Sequence, residues 1–169
     1  MATAEEHLME WLRTAHAVEE QAETMLSGQA SRLEHYPQLK ARIEQHLQET
    51  KRQAELVRGC IERRGGSTSV IKDTGAKMMA MGQAMSGFFV SDEVIKGSLA
   101  STAFEAMEAA SYRILIGAAE QVGDAETARV CRQILQEEEA MEQWLKDNLE
   151  SVTQQFLRRE ETPGATAKR

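Results

Sequence analysis

Every predicted helix of this sequence carries acidic residues on its apolar side, near the middle of its length. Together with one histidine, these candidate metal-ligating residues are Glu19, His46, Glu49, Glu105, Glu108 and Glu138. Residues three or four apart lie on one face of a helix, so Glu19, four after Ala15 and three before Ala22, faces inward. Antiparallel helices of similar length bring their midpoints to one level. We therefore expect these side chains to converge.

Converging carboxylates need positive charge close by. An ionised carboxylate in a dry core loses several kcal/mol of solvation unless a counter-charge compensates it. Bridging and terminal carboxylates, with or without a histidine, are ligands that iron and manganese accept. The sequence therefore predicts a di-iron or di-manganese centre. The alternatives are a solvated surface position for any single glutamate, an intrahelical boundary pair for Glu105 with Glu108, and a satisfied core histidine for His46.

The apolar residues recur at spacings of three and four, and they predict four long helices in one domain. The predicted helices run from about Thr3 to Leu33, from Pro37 to Gly65, from Ser91 or Asp92 to Gly123, and from Asp124 to about 160. Residues 1–160 are predicted to form the bundle, and residues 161–169 a disordered tail. The third helix is predicted to bury a stripe made of Leu99, Ala103, Ala106, Leu115 and Ala119.

A long segment separates the second predicted helix from the third. Residues 67–90 mix Ser, Thr and Gly with Met78, Met79, Met81 and Met85, and they predict a crossover that carries one short helix. A hairpin, a long crossover and a second hairpin form the connectivity of ferritin-like bundles. The methionines either fill the core or form a subunit interface, and we favour an interface that makes the protein a homodimer.

Charge and composition exclude several classes of partner. The chain has 27 acidic and 20 basic residues and a net charge of -7, which disfavours nucleic acid and anionic membranes. The Lys168-Arg169 ending is too short to make a DNA-condensing cage. We expect a cytoplasmic protein, because the first ten residues do not resemble a signal peptide. Cys60 and Cys131 are expected to be buried, reduced thiols.

The acidic motifs also resemble those of the YciE/YciF family of ferritin-like stress proteins, with the YciE branch expected to be nearer. The motifs are Val18-Glu19-Glu20-Gln21, Glu49-Thr50 with Gln53, Glu105-Ala106-Met107-Glu108 with Tyr112, and Glu137-Glu138. The resemblance covers about Leu8 to Leu149. It implies a bundle related to rubrerythrins, with a short extra helix at a homodimer interface and no established activity.

The sequence departs from the rubrerythrin pattern at two positions. Rubrerythrin-type sites place a histidine three residues after a glutamate in the second and fourth helices, where this chain has Arg52 and Met141. His46 and Glu142 are candidate substitutes. Two functions therefore stay open: a metal protein that reduces peroxide or oxygen or handles iron, and a non-enzymatic homodimeric stress protein with a degenerate site. Tyr112, four residues after Glu108, has a hydrogen bond to a carboxylate as one alternative, and we favour a packed aromatic residue with its hydroxyl satisfied.

Overall fold

A computed structural model of the chain describes residues 1–68 and 91–167. These residues form four helices, α1 (Ala4–Arg32), α2 (Pro37–Arg63), α3 (Glu93–Gln121) and α4 (Ala125–Glu160). Helix α1 packs along α2 and α3 packs along α4, and the two hairpins meet through contacts of α1 with α3 and of α2 with α4. The predicted all-α four-helix bundle is confirmed. Most of the predicted Met-rich crossover, residues 69–90, lies outside the described residues.

Local sequence signals set the ends of these helices. Thr3 caps α1, since its hydroxyl accepts a hydrogen bond from the Glu6 amide at 3.2 Å, while the Glu6 carboxylate accepts one from the Thr3 amide at 2.7 Å. Pro37 is the first residue of α2, a position at which a backbone N–H would have no partner within the helix, so proline loses no hydrogen bond there. Gly123, with a φ of +74°, follows α3 and lets the Asp124 amide reach the Ala119 carbonyl at 2.8 Å.

Asp124 joins the start of α4 to the end of α2. Its Oδ1 accepts a hydrogen bond from the Thr127 amide at 3.0 Å, which caps α4. Arg63 donates to the same oxygen at 2.9 Å, and Arg64 donates to Oδ2 at 2.6 Å. One carboxylate therefore fixes the register of two helices at this end of the bundle.

The core consists of two apolar clusters with a polar layer between them. One cluster, at the end nearest Asp124, includes Leu12, Ile61, Leu115 and Ile134. The other, at the opposite end, includes Ile43, Leu47, Met141 and Leu145. The buried acidic residues lie between these clusters, so both apolar clusters separate them from the bundle ends.

The stripe predicted for α3 is wrong at three of its five positions. Leu99 is 65% exposed, and Ala103 and Ala106 are also exposed. Leu115 and Ala119 are buried as predicted. The inward face over the first two thirds of α3 instead mixes polar residues with Val94, Phe104 and Ala109. The polar ones include Ser98, Ser101, Glu105, Glu108 and Tyr112. A stripe chosen from the apolar residues alone is therefore rotated away from the interior along the first half of α3.

The residues after α4 contact the bundle. The Tyr36 hydroxyl donates a hydrogen bond to the Ala167 carbonyl at 2.5 Å, and the Arg159 Nε donates to the Thr166 carbonyl at 2.8 Å. Tyr36 is buried beneath this segment. The boundary predicted at residue 160, with a disordered tail beyond it, stays a prediction.

Both cysteines are free and buried, as predicted. Burial raises the pKa of Cys60, and it raises the pKa of Cys131 to about 12. Both side chains therefore stay protonated and pack as apolar groups. Within residues 1–68 and 91–167, none of the helices combines the length and the apolar character that a membrane span requires.

Candidate metal centre

Five of the six candidate residues meet in the polar layer. They come from all four helices and are each 3% exposed or less: Glu19, His46, Glu105, Glu108 and Glu138. The pKa of Glu108 responds to the charges of Glu19, Glu105 and Glu138, so these carboxylates lie close together. The predicted convergence of acids at mid-bundle is therefore present in the structure.

His46 lies at the centre of the group. Its Nε2 is 3.1 Å from Oε2 of Glu105 and 3.5 Å from Oε2 of Glu138. One ligand atom from each of these three residues lies within 4.8 Å of the other two. Because the three residues come from α2, α3 and α4, the packing of the bundle itself holds the ligand atoms together.

Several potential metal-ligating atoms in this layer have no aligned hydrogen bond within the described part of the chain. Both carboxylate oxygens of Glu138, Oε2 of Glu105 and Nε2 of His46 are buried without an aligned hydrogen bond to any described residue. A buried acceptor left in this state costs roughly 1–3 kcal/mol. A cation would satisfy these atoms, and imidazole nitrogen with carboxylate oxygen suits iron or manganese. The residues therefore fit a bound transition-metal ion.

Glu49 lies behind His46 rather than among these donor atoms. Its Oε2 is 2.8 Å from Nδ1 of His46 and accepts a hydrogen bond from Arg42 at 3.2 Å. Gln45 donates to the other oxygen of Glu49 at 2.9 Å. A carboxylate on one imidazole nitrogen holds the ring and directs the other nitrogen at the site. The structure therefore places Glu49 as the residue that orients His46.

Opposite charges shift the pKa values of His46 and Glu49. Burial alone would lower the pKa of His46, but its contacts with Glu105, Glu138 and Glu49 outweigh burial and raise it to about 12. Pairing with His46 lowers the pKa of Glu49 to about 2. Without a metal, His46 therefore carries a proton and is the cation of the layer.

Glu19, Glu105 and Glu108 are harder to ionise. Burial raises the pKa of Glu105 to about 7, against the opposing effect of His46. Burial, with neighbouring carboxylates, also raises the pKa values of Glu19 and Glu108 well above the ordinary range. These carboxyl groups bind protons that a metal ion would displace.

Tyr112 interacts with an acid. Its hydroxyl donates a hydrogen bond to Oε1 of Glu19, and both side chains are buried. The ring still packs in the apolar cluster nearest Asp124. The ring packs as expected, and the hydroxyl has the carboxylate partner that the sequence offered as the alternative. The spacing of four residues from Glu108 was the available signal, and it pointed to a different glutamate from the one bound.

The positions that depart from the rubrerythrin pattern have other partners. Arg52 forms an ion pair with Glu137 at 2.7 Å, and Met141 is fully buried in the apolar cluster that contains Ile43. Glu142 pairs with Lys146 one turn along α4, so it does not replace a ligand in this structure. Among the residues that the structure describes, His46 is the histidine grouped with these carboxylates.

Three polar residues near the centre were not predicted as site residues. Arg42 and Gln45 precede Glu49 by seven and four residues, a spacing that places all three on one helix face. Gln53 is fully buried and donates a hydrogen bond to Glu137 at 2.9 Å. The helical spacing could have identified the first two, whereas the partner of Gln53 on α4 requires the tertiary structure.

Comparisons with known proteins agree with this architecture. A crystal structure of a protein from Xanthomonas campestris pv. campestris is 42% identical and matches 95% of this chain and all of its own, with a TM-score of 0.81. The Escherichia coli stress protein YciF is 24% identical over 89% of this chain and 97% of its own (TM-score 0.78). YcfI of Rhodopseudomonas palustris is 22% identical over 86% of this chain and 94% of its own (TM-score 0.72). The last two likenesses show the fold alone.

A family model described as "Domain of unknown function (DUF892)" matches residues 3–158, nearly the whole bundle. The match and the neighbours YciF and YcfI confirm the predicted resemblance to YciE/YciF-type proteins and the ferritin-like four-helix bundle. The preference for the YciE branch stays a prediction. By the extent of this match, the chain belongs to the DUF892 family.

Proposed function

We propose that this protein binds iron or manganese in the polar layer and uses the bound metal to reduce peroxide or oxygen. One observation carries the proposal: His46, Glu105 and Glu138 direct donor atoms from three helices to one place, and those atoms lack aligned hydrogen bonds within the described residues. Glu19 and Glu108 would supply carboxylates for a second ion. The proposal also places the protein in the cytoplasm, where its two buried thiols stay reduced.

A bound pair of iron or manganese ions supplies the two-electron chemistry that peroxide reduction requires. The residues of the chain hold the ligands in place and exclude water. Glu49 holds the His46 ring, and Tyr112 holds one oxygen of Glu19. The two apolar clusters keep bulk water from both ends of the layer. A preorganised and dry centre limits the reorganisation of charge that a change of valence demands.

Metal binding can be tested with a double variant and a matched control. We expect protein purified without chelators to contain iron or manganese, and added metal to raise its melting temperature. Metal at 100 times its Kd adds about 2.7 kcal/mol, which is roughly 5–10 °C for a domain of this size. Glu105→Gln with Glu138→Gln should abolish the shift. Glu120→Gln with Glu139→Gln should keep it, because these glutamates lie on the same helices but pair with surface arginines.

Elemental analysis and thermal unfolding measure both effects, and peroxide turnover by the loaded protein then tests the reaction. Protein that binds neither ion and gains no thermal stability from either would exclude the proposed centre.

One observation favours a non-enzymatic stress protein as a second candidate. Protonated His46 already lies within ion-pair distance of Glu105 and Glu138, so it can neutralise part of the layer without metal. In that case Glu105→Gln with Glu138→Gln should leave stability unchanged or raise it, because fewer buried charges remain. Urea unfolding tests this prediction by comparing the free energy of unfolding of the metal-free variant with that of the metal-free wild type. A metal-dependent loss of stability in the variant counts against this second candidate.

A further inference from the structure

A cavity of about 310 Å³ lies between α1 and α3, beside the polar layer. Trp11, Ala15 and Val18 of α1 form one side of it, and Ile114 and Leu115 of α3 are on the other. This volume is at the lower end of the range for small-molecule sites, and the lining is mostly apolar. The cavity is therefore suited to a small organic molecule.

The cavity borders the polar layer through Glu108 and Tyr112, whereas His46, Glu105 and Glu138 lie beyond its lining. Glu108 lines the cavity, is only 3% exposed, and makes no hydrogen bond or ion pair with the rest of the described chain. Tyr112 also lines the cavity, and its hydroxyl bonds to Glu19 in the acid cluster. A molecule that entered here would meet the carboxylates from the side of α1 and α3, opposite the ring of His46 on α2.

The outer end of the cavity is apolar and reaches the surface. Trp11 is 41% exposed and Ile114 is 56% exposed. Burying apolar surface stabilises a complex in proportion to the area removed from water. Hydrogen peroxide has no apolar body and gains nothing from such walls, whereas an alkyl or aryl group does.

We propose that this cavity binds the apolar body of an organic hydroperoxide and directs its peroxide group to the metal centre. This inference rests on the proposed function, because it names the substrate class of the same site. The reaction is balanced by two ferrous ions as the reductant. The O–O bond of the hydroperoxide breaks, two protons and two electrons are taken up, and the products are the alcohol, water and two ferric ions.

The first test measures binding without metal, using cumyl alcohol, the unreactive product of cumene hydroperoxide. The chain has two tryptophans, so Trp144→Phe leaves Trp11 as the only one, on the cavity wall. We expect the fluorescence emission of Trp11 to change as the alcohol is added and to reach a plateau when the cavity is full. Adding Ser111→Phe should fill the cavity and abolish the change. Ala110→Phe, on the exposed side of the same turn, should preserve it.

The second test compares two oxidants in single turnovers of the ferrous-loaded protein. We expect Ser111→Phe to slow the reaction with cumene hydroperoxide by about tenfold or more, which corresponds to a rise of about 1.4 kcal/mol in the barrier. The rate with hydrogen peroxide should stay within twofold of the wild-type rate. Ala110→Phe should change neither rate. Equal slowing of both oxidants would overturn the assignment of substrate class.

The two proposals can fail separately. If the protein binds no iron but the alcohol still occupies the cavity, the metal function fails and the small-molecule site remains. If iron binds but the alcohol leaves Trp11 unaffected, the cavity proposal fails alone. It also fails if the Trp11 emission depends on protein concentration rather than on the alcohol, since a second copy of the chain then covers the cavity.

Discussion

His46 controls the charge of the polar layer at the scale of single residues. In the metal-free protein it bears a proton, which its three carboxylate neighbours stabilise, and that proton occupies the nitrogen that a metal would use. Proton and metal therefore compete for Nε2. The pKa of Glu105, raised to about 7, adds a second proton that metal must displace below neutral pH.

Metal affinity should consequently rise with pH. For each proton that the metal displaces, the metal affinity rises by about tenfold per pH unit. This holds over the pH range in which the group is protonated in the metal-free protein. We expect release of at least one proton per metal ion between pH 6 and 8, measured by titration calorimetry in buffers of different ionisation enthalpy. His46→Gln should release one proton fewer and bind more weakly, whereas His35→Gln should behave as wild type. Metal uptake without proton release would contradict the assignment of His46.

A second prediction concerns Tyr112, whose hydroxyl is the hydrogen-bond donor to Oε1 of Glu19. In Tyr112→Phe both buried oxygens of Glu19 lack a partner among the described residues, at a cost of roughly 1–3 kcal/mol. We expect the metal-free variant to lose that much stability in urea unfolding, and the metal-loaded variant to lose less, because the ion then satisfies Glu19. An equal loss in both states would mean that Glu19 is not a ligand.

The acids of the site could be predicted from the sequence, whereas their individual roles could not. Helical spacing placed Glu19 and Glu138 on inward faces, and both are fully buried. Spacing alone does not distinguish a glutamate that enters the layer from one that supports a histidine. Glu49 supports His46 because Arg42 and Gln45 hold it from the same helix face. The side-chain rotations that decide this are properties of the packed structure.

At the scale of elements, α3 shows why an apolar stripe can mislead. Much of its buried face is polar because it forms one wall of the layer, and apolar residues such as Leu99 are outside. Helix α1 buries two polar residues and α2 buries three, and the other buried residues of both helices are apolar. The prediction therefore failed where functional residues replace the apolar pattern.

Asp124 provides a prediction for the junction of α2 and α4. Burial opposes its ionisation, but the Thr127 amide and hydroxyl, Arg64 and Arg63 lower its pKa below the ordinary value of about 3.9. Because the folded-state pKa is lowered, its stabilisation is present above about pH 4 and is lost as the pH falls through the folded-state pKa. Asp124→Ala should destabilise the protein at pH 7 by about 1–2 kcal/mol for the cap alone.

The charge and the cap at this junction can be separated with Asp124→Asn, since asparagine still caps the helix. We expect the difference in unfolding free energy between this variant and the wild type to shrink between pH 5 and pH 2, measured by urea unfolding. A difference that stays constant over this range would show that the two arginines do not stabilise the ionised carboxylate.

At the scale of the whole molecule, the hairpin pattern was predictable because turn residues mark both short connections. Pro37 starts α2, and Gly123 follows α3. The assembly of the protein is a separate question, since the Met-rich segment lies outside the described residues. We propose that Met78, Met79, Met81 and Met85 form a homodimer interface, as the sequence predicts.

The proposed dimer can be tested by sedimentation equilibrium. Met78→Glu with Met81→Glu should shift the protein toward monomer, because charges at an apolar interface must be desolvated. Thr74→Glu with Ser86→Glu adds the same charge to the same segment without removing a methionine, and it should leave the dimer intact. A monomeric wild type would refute the interface.

The last prediction concerns the chain beyond α4, where the sequence predicts a disordered tail and the structure shows a buried contact. Tyr36 is 1% exposed, and its hydroxyl has the Ala167 carbonyl as acceptor. Truncation after Pro163 removes that acceptor and uncovers the ring, so we expect a loss of roughly 1–3 kcal/mol in urea unfolding. In a Tyr36→Phe background the same truncation should cost less, because no hydroxyl remains to be satisfied. The coupling between the two changes isolates the hydrogen bond from the loss of packing. A truncation that costs nothing in either background would show that residues 164–169 are free of the bundle, and the domain would then end at the boundary that the sequence predicts.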